Sequence, residues 1–413
     1  MHTTTMPRAL AIALTLLAAS GCDLTVTNPG PVQEQYLNDR AAVTSIVNGA
    51  GRDLAEALNW TAYTGAAVAR EIFPGGSTGS FGISVNWQNG KLTDDETDPH
   101  WNRAQRARWT AEHGSDRLRT VLGANFAKSK DAAQALLWAG YANRMLGENF
   151  CEGVIDGGPP GTNSVYFTRA EAAFTEAMAV GTAAGNVPIA TAARAGRAAV
   201  RLDLGQFATA AVDANGIADA FVYVMPYNTT EQDTWNRIYW ATANQPYRAH
   251  TVYNTFYDTY YTTTKDPRVA WGADPKFPVG DGAVGSLGRV PWHFEMKYTK
   301  KESSINLSTG WEMRLIEAEA RLAGGDVPAA MLLVNKHRLA LGLLPWNATT
   351  SDDAWTALKR ERGIEFWLEG RRLGDFRRWS LANRPGTSDS MAGRDLCFAT
   401  PLSEKQTNPN FSP

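Results

Sequence analysis

The chain has few of the residues on which most enzyme and metal chemistry depends. Among 413 residues there are three cysteines and six histidines. The histidines fall in no paired ligand spacing and the cysteines in no C-x-x-C, so no resident metal or other cofactor is expected. No H-E-x-x-H and no P-loop occurs, and we read no serine-nucleophile elbow. The acidic run 94–98 lacks the glycine and terminal glutamate of a regular calcium loop and reads as solvated loop. Charge of one sign is missing too: 40 Lys and Arg stand against 42 Asp and Glu, a net charge of -2. Nonspecific capture of nucleic acid through its phosphates is thereby excluded. The one continuous apolar run, residues 9–18, is half of the roughly 20 residues that cross a membrane.

What is present begins with that run. Arg8 precedes it and Ala19-Ser20-Gly21-Cys22 follows. Its length suits a signal-peptide core, and small residues before a cysteine resemble a bacterial lipobox. The expectation is cleavage after Gly21 and lipidation of Cys22, with several acyl chains holding the protein to a membrane. Ordinary secretion with an incidental cysteine is the alternative. If Cys22 is lipidated, Cys151 and Cys397 remain in an oxidising compartment, and a bridge between them is expected, against the alternative of two buried thiols. Closing so long a loop is worth roughly 4–5 kcal/mol in the chain-entropy account.

Apolar residues recur at helical spacing over 38–69, 101–122, 130–146, 168–181, 189–220, 308–323, 329–341, 352–368 and about 374–382. Residues 74–89 form a Gly/Ser-rich loop. Between the helical blocks, 221–307 is rich in Tyr, Trp, Thr, Asn, Gly and Pro, and reads as loops with short strands and small helices. The segment 195–210 repeats at 315–330: Ala198, Arg201, Leu202, Gly205 and Ala210 match Ala318, Arg321, Leu322, Gly325 and Ala330. Helix, glycine turn and a second helix with a small residue at the crossing resemble a tetratricopeptide unit. A third, looser unit begins at 131–150.

Residues 361–379 read ERGIEFWLEGRRLGDFRRW. Glu361, Glu365 and Glu369 share an i,i+4 face, with Arg362, Arg371 and Arg372 in reach. Alternating signs point to a structural ion-pair network; paired catalytic carboxylates are the functional alternative. The run resembles the SusD/RagB family through Glu361, Arg362, Glu365, Glu369, Gly370, Arg372, Asp375, Arg378 and Trp379. So do the leader from Asp23 to Pro29, the helix pair ending at Asn335, Arg338, Gly342 and Leu343, and the close from Phe398 through Glu404 to Asn408-Pro409-Asn410.

The resemblance implies a mostly α fold, a SusD-like scaffold of tetratricopeptide-like helix pairs with a loop-rich, aromatic-rich irregular region. Its divisions would be a signal peptide (1–21), a lipid-anchored leader (22–37) and one domain (38–413). Within that domain 38–220 and 308–387 are scaffold, 221–307 the variable ligand region and 388–413 a loop tail. It implies a non-enzymatic, surface-exposed outer-membrane lipoprotein. Its cargo would be a nutrient, chiefly oligosaccharide or polysaccharide, passed to a SusC-like TonB-dependent transporter. A lipid-anchored protein-protein scaffold in the envelope is the second reading. A pyranose stacks its C–H face on an aromatic ring and bonds its hydroxyls to polar side chains. The candidates are Trp271 and Trp292 first, then Tyr298, Trp240 and Trp87, with Trp235, Tyr239 and Tyr247 in the same region. The run from Tyr253 to Tyr261 reads as core or subunit contact.

Overall fold

The computed structural model describes residues 34–243, 247–387 and 391–411. Cys22 and the rest of the leader lie outside them. Fourteen α-helices are described; the longest are α1 (Val43–Val68), α3 (Asp98–Leu122), α4 (Lys130–Asn149) and α5 (Ser164–Ala183). Between α1 and α3 lies the single turn α2 (Val85–Gln88). Then come α6 (Val187–Asp203) and α7 (Phe207–Ala214), and after the loop-rich stretch α10 (Gly310–Ala323), α11 (Val327–Ala340), α12 (Ser351–Glu365) and α13 (Arg372–Leu381). Two short helices, α8 (Arg237–Thr242) and α9 (Phe256–Thr264), lie within that stretch, and α14 (Leu402–Thr407) ends the chain. Each long helix packs on its sequence neighbours, α1 on α3, α4 on α5, α5 on α6, α6 on α7 and α10 on α11. None is long and apolar enough to cross a membrane among the described residues.

Local chemistry sets the helix starts. The side chains of Ser129, Asn186, Thr309, Asp326 and Thr350 each accept the N–H three residues on, the bond that satisfies an otherwise orphaned donor. The 189–220 stretch is two helices, because Gly205 takes φ +74° and the Gln206 N–H turns back to the Arg201 carbonyl. The same turn recurs at Gly325, with Asp326 bonding back to Arg321, and again at Gly185, with Asn186 bonding back to Gly181. The turn at Gly185-Asn186-Val187-Pro188 follows the letters of Gly325-Asp326-Val327-Pro328 closely, and it joins α5 to α6 as that one joins α10 to α11. The units at 195–210 and 315–330 meet in a small core of their own, Ala195, Ala198, Leu202, Ala210, Met313 and Ile316.

The loop-rich stretch is tied at its root. Strand β4 (Val222–Met225) pairs antiparallel with β8 (Ile305–Thr309), Val222 opposite Thr309 and Met225 opposite Ile305. Three further two-stranded ribbons, β1 with β5, β2 with β3 and β6 with β7, complete the strands. They span Phe73–Pro74 and His250–Thr251, Glu152–Gly153 and Gly161–Thr162, Trp271–Ala273 and His293–Glu295. One large hydrophobic cluster, from Val43 to Phe398, includes Tyr227, Tyr257 and Tyr298 of the stretch, so it shares the scaffold's core. Cys151 and Cys397 are bridged, 5.1 Å apart at Cα. Their strands also bond, Cys151 N–H to the Phe398 carbonyl (3.0 Å) and Phe398 N–H to that of Asn149 (2.7 Å).

Candidate ligand-binding site

Helix α8 is held from both sides before any ring is considered. Buried Asn59, on α1, accepts the Arg237 N–H (2.9 Å) and donates to the Trp235 carbonyl (2.6 Å). Asn236 caps the helix on the Tyr239 N–H (3.0 Å) and donates to the Ser303 carbonyl (2.9 Å). This places Trp235 and Trp240 beside Tyr247 over Phe81. The four rings form an edge-to-face set with centroids 5.1–6.2 Å apart, the geometry aromatic quadrupoles favour. Phe81 is buried, Trp235 and Trp240 are half-buried, and Tyr247 is 42% exposed.

Cations edge the patch. Lys301 Nζ lies 3.5 Å from the centroid of Trp235. The Arg237 guanidinium lies 3.4 Å from the Trp60 centroid and 5.5 Å from that of Trp240. Arg237 makes no ion pair among the described residues, and burial pulls its pKa down to about 10. Beneath, the rings of Trp87 and Trp60 both meet His100 edge-on, at 4.9 and 5.9 Å. Burial drops His100 to about 3, so it is neutral, bonded to Thr64 Oγ1 at 2.8 Å.

A second aromatic group surrounds Trp271, half-buried at the start of β6. His293 stacks on it at 3.9 Å with 4° between planes, and so takes one indole face. The Asp258 carbonyl accepts from the indole N–H (3.3 Å), and the Asp258 carboxylate meets His293 Nδ1 (2.9 Å). Tyr261 closes on the ring edge at 5.8 Å.

Three expected residues are corrected. Trp292 is 1% exposed, its N–H bonded to the Thr242 carbonyl at 2.9 Å. Tyr298 is buried with its hydroxyl on the Leu368 carbonyl (3.0 Å), and Trp87 is buried against His100. All three are almost fully buried, and so they offer a ligand no open ring face. Trp60, Asn59 and Arg237 were not singled out in the sequence. Trp60 sits inside a helical period that marks it only as one more large residue.

The chain does carry the letters G-x-S-x-G, at Gly75-Gly76-Ser77-Thr78-Gly79. They make no nucleophile elbow. Ser77 Oγ donates to Asp281 (2.7 Å), and the chain runs into a short 3-10 turn, Thr78–Phe81. The acidic run is engaged rather than merely solvated: Asp94 pairs with Lys405 at 2.9 Å, and Glu96 accepts from Ser84 at 2.7 Å.

The carboxylates of 361–379 are structural, with partners other than those expected. Helix α12 ends at Glu365 and Leu368 takes φ +64°, so Glu369 leaves the shared face. Glu361 meets Arg268 (2.5 Å), Arg338 (3.2 Å) and the Trp346 indole (2.8 Å). Glu365 meets Arg268 (2.9 Å) and His337 (2.7 Å), and Glu369 meets Lys297 (2.6 Å). Arg362 forks onto Asp375 at 2.8 and 2.7 Å; Arg371 reaches Glu148 and Glu312, both at 3.0 Å. Burial works to raise Asp375, but Arg362 and Arg378 outweigh it and hold the carboxyl well below its ordinary range. Arg268 and Lys297 come from the loop-rich stretch, so the network ties that stretch to the scaffold.

Residues 293–411 match the model of the SusD family. No curated protein sequence matches the chain. Solved structures share its fold at low identity. A SusD superfamily protein from Bacteroides fragilis aligns with TM-score 0.64 and 14% identity over 90% of this chain and 98% of that one. Surface glycan-binding protein A from Bacteroides uniformis aligns with TM-score 0.62 and 14% identity over 90% and 98%. A laminarin-binding SusD-like protein aligns with TM-score 0.60 and 16% identity over 89% and 97%.

Proposed function

We propose that this protein is of the SusD/RagB family and binds a glycan at the cell surface without altering it, a reading supported by the family match over residues 293–411 and by the likeness of fold. The observation that carries the reading is the patch of Trp235, Trp240 and Tyr247, partly open and bordered by Lys301 and Arg237. Its exposed ring surface suits sugar C–H faces, and Lys301, the partly exposed cation, suits hydroxyls or acidic groups, while buried Arg237 supports the rings from within. The glycan-binding fold relatives support the same chemistry. Cys22 would carry the lipid that anchors the chain to the outer membrane. A SusC-like TonB-dependent transporter would receive the ligand, with the loop-rich stretch above the pore and the helix pairs against the barrel. Trp271 is a secondary contact.

The test is affinity electrophoresis and calorimetry of residues 23–413 against a panel of polysaccharides and peptides, with Trp240→Ala and Tyr247→Ala alongside. Binding of one glycan class that weakens in both variants is the expected result. A folded protein that binds no glycan, or binds one equally well in both variants, overturns the reading.

A further inference from the structure

Helix α3 carries a large side chain on the wrong face for packing. Its buried stripe runs through Trp101, Ala104, Arg108, Ala111, Ser115 and Leu118. Trp109 lies off that stripe and is 50% exposed, the one tryptophan among the described residues in that class. It is nonetheless held. His113, one turn on, stacks on the indole at 4.1 Å and 22°, covering one face and leaving the other to solvent.

The ring borders a cleft of about 320 Å³ between α3, the turn at 154–158 and the start of α14. Trp101 and Val154 also line it, beside the polar groups of Asn102, Gln105, Asp156 and Glu404 and of Arg106, which pairs with Glu56 (2.6 Å) and Asp53 (3.2 Å). Asp156 gives one oxygen to Arg108 (2.6 Å) and remains half exposed. It stands at φ +51° before Gly157 at φ +73°. Both Asp156 and Gly157 are thus left-handed, a tight turn an aspartate adopts only at a cost. The surroundings fix that turn. Asn408 donates to the Gly158 carbonyl (2.9 Å) and Asn410 to that of Gly157 (2.8 Å), and the Cys151–Cys397 bridge stands at the base of the same loop.

We propose that this cleft is a second carbohydrate site, in which Trp109 stacks a pyranose ring while Asp156 and Asn102 bond its hydroxyls. One open indole face beside planar polar groups on a braced backbone is what such recognition requires. The mixed lining, with carboxylates of Asp156 and Glu404 at the mouth, suits a hydroxyl-rich ligand better than an apolar protein surface. The ligand rests on the glycan-binding reading, but the site is on the scaffold, apart from residues 221–307. Two sites on one chain would hold a polymer by two points, with the second contact effectively intramolecular.

The experiment compares four forms of residues 23–413 on the same glycan panel: the unaltered chain, Trp109→Ala, Trp240→Ala/Tyr247→Ala, and all three changes together. Gel retardation and calorimetry are the readouts, and thermal melts confirm that each form folds. About tenfold weaker retention on polysaccharide is expected for Trp109→Ala. Residual binding should survive in the Trp240→Ala/Tyr247→Ala form and vanish in the triple form. Trp109→Ala equal to the unaltered chain, with binding lost in the other pair, overturns the second site and leaves the first reading standing. Loss in Trp109→Ala alone supports the cleft and removes the first site. No glycan bound by any form overturns both.

Discussion

The helical scaffold and the stretch 221–307 invert the usual placement of side chains in opposite ways. In the scaffold, charges are inside: Arg144, Glu312, Glu319, Glu361, Arg362 and Asp375 are all buried. In the stretch, large rings stand partly in water, among them Trp235, Trp240 and Tyr247. Each inversion opposes a hydration or burial term. The buried charges are nearly all matched to one another at hydrogen-bond distance, so their purpose is to fix how elements meet. The rings of the stretch are partnered as well, by Phe81, by one another and by Lys301, but they stay partly exposed. That remaining exposure is what the proposed glycan contact would use.

The sharpest way to break this comparison is to unmatch a buried charge. Arg362→Ala takes from Asp375 its forked partner and leaves it Arg378 alone (2.9 Å), and we expect a loss of about 3 kcal/mol in denaturant unfolding. A loss under about 1 kcal/mol would mean that the network is ornamental. Next is the bridge: Cys151→Ser with Cys397→Ser should cost about 2–5 kcal/mol. Glycan binding at the Trp240 patch should stay unchanged, because the patch is braced by Asn59 and Asn236 instead.

Buried Glu71 offers a pH test of the same rule. Burial raises it to about 7, and its Oε2 has no hydrogen-bond partner. The folded state therefore keeps a proton there that the unfolded chain releases near its ordinary 4.5. This contribution is complete below about pH 4.5 and is lost as pH rises toward 7. Glu71→Gln should accordingly flatten the stability profile between those values and raise the melting temperature at pH 8, by the equivalent of roughly 3 kcal/mol at most. The smallest effect belongs to the surface: Tyr247→Ala should weaken glycan binding by several-fold, with stability within about 0.5 kcal/mol of the parent.

Much of the scaffold could be read from local information. Apolar spacing, capping residues and the glycine turns act within a few residues, which is why 195–210 and 315–330 were legible as helix pairs. The acid-base pattern of 361–379 was legible as an ion-pair network, but its partners were not. Glu361 finds Arg268 and Glu369 finds Lys297, each across tens of residues, and no i,i+4 rule reaches that far. The same limit decided the aromatics. Trp292 precedes β7 in a Pro-containing segment and Trp240 lies within α8, yet the first is sealed with its indole on the Thr242 carbonyl and the second stays half-buried, a difference set by partners far away in sequence. Trp109 was readable in principle, since the period of its own helix places it off the buried stripe.

The β4–β8 ribbon closes the loop-rich stretch at its root. Its two strands enter and leave the scaffold side by side in fixed register, Val222 opposite Thr309. The root of the stretch is therefore fixed whatever lies between, while Tyr227, Tyr257 and Tyr298 in the shared core and the ion pairs of Arg268 and Lys297 fix its middle. Change in length is cheapest in the loops outside those contacts, where neither the ribbon's register nor a buried partner has to move.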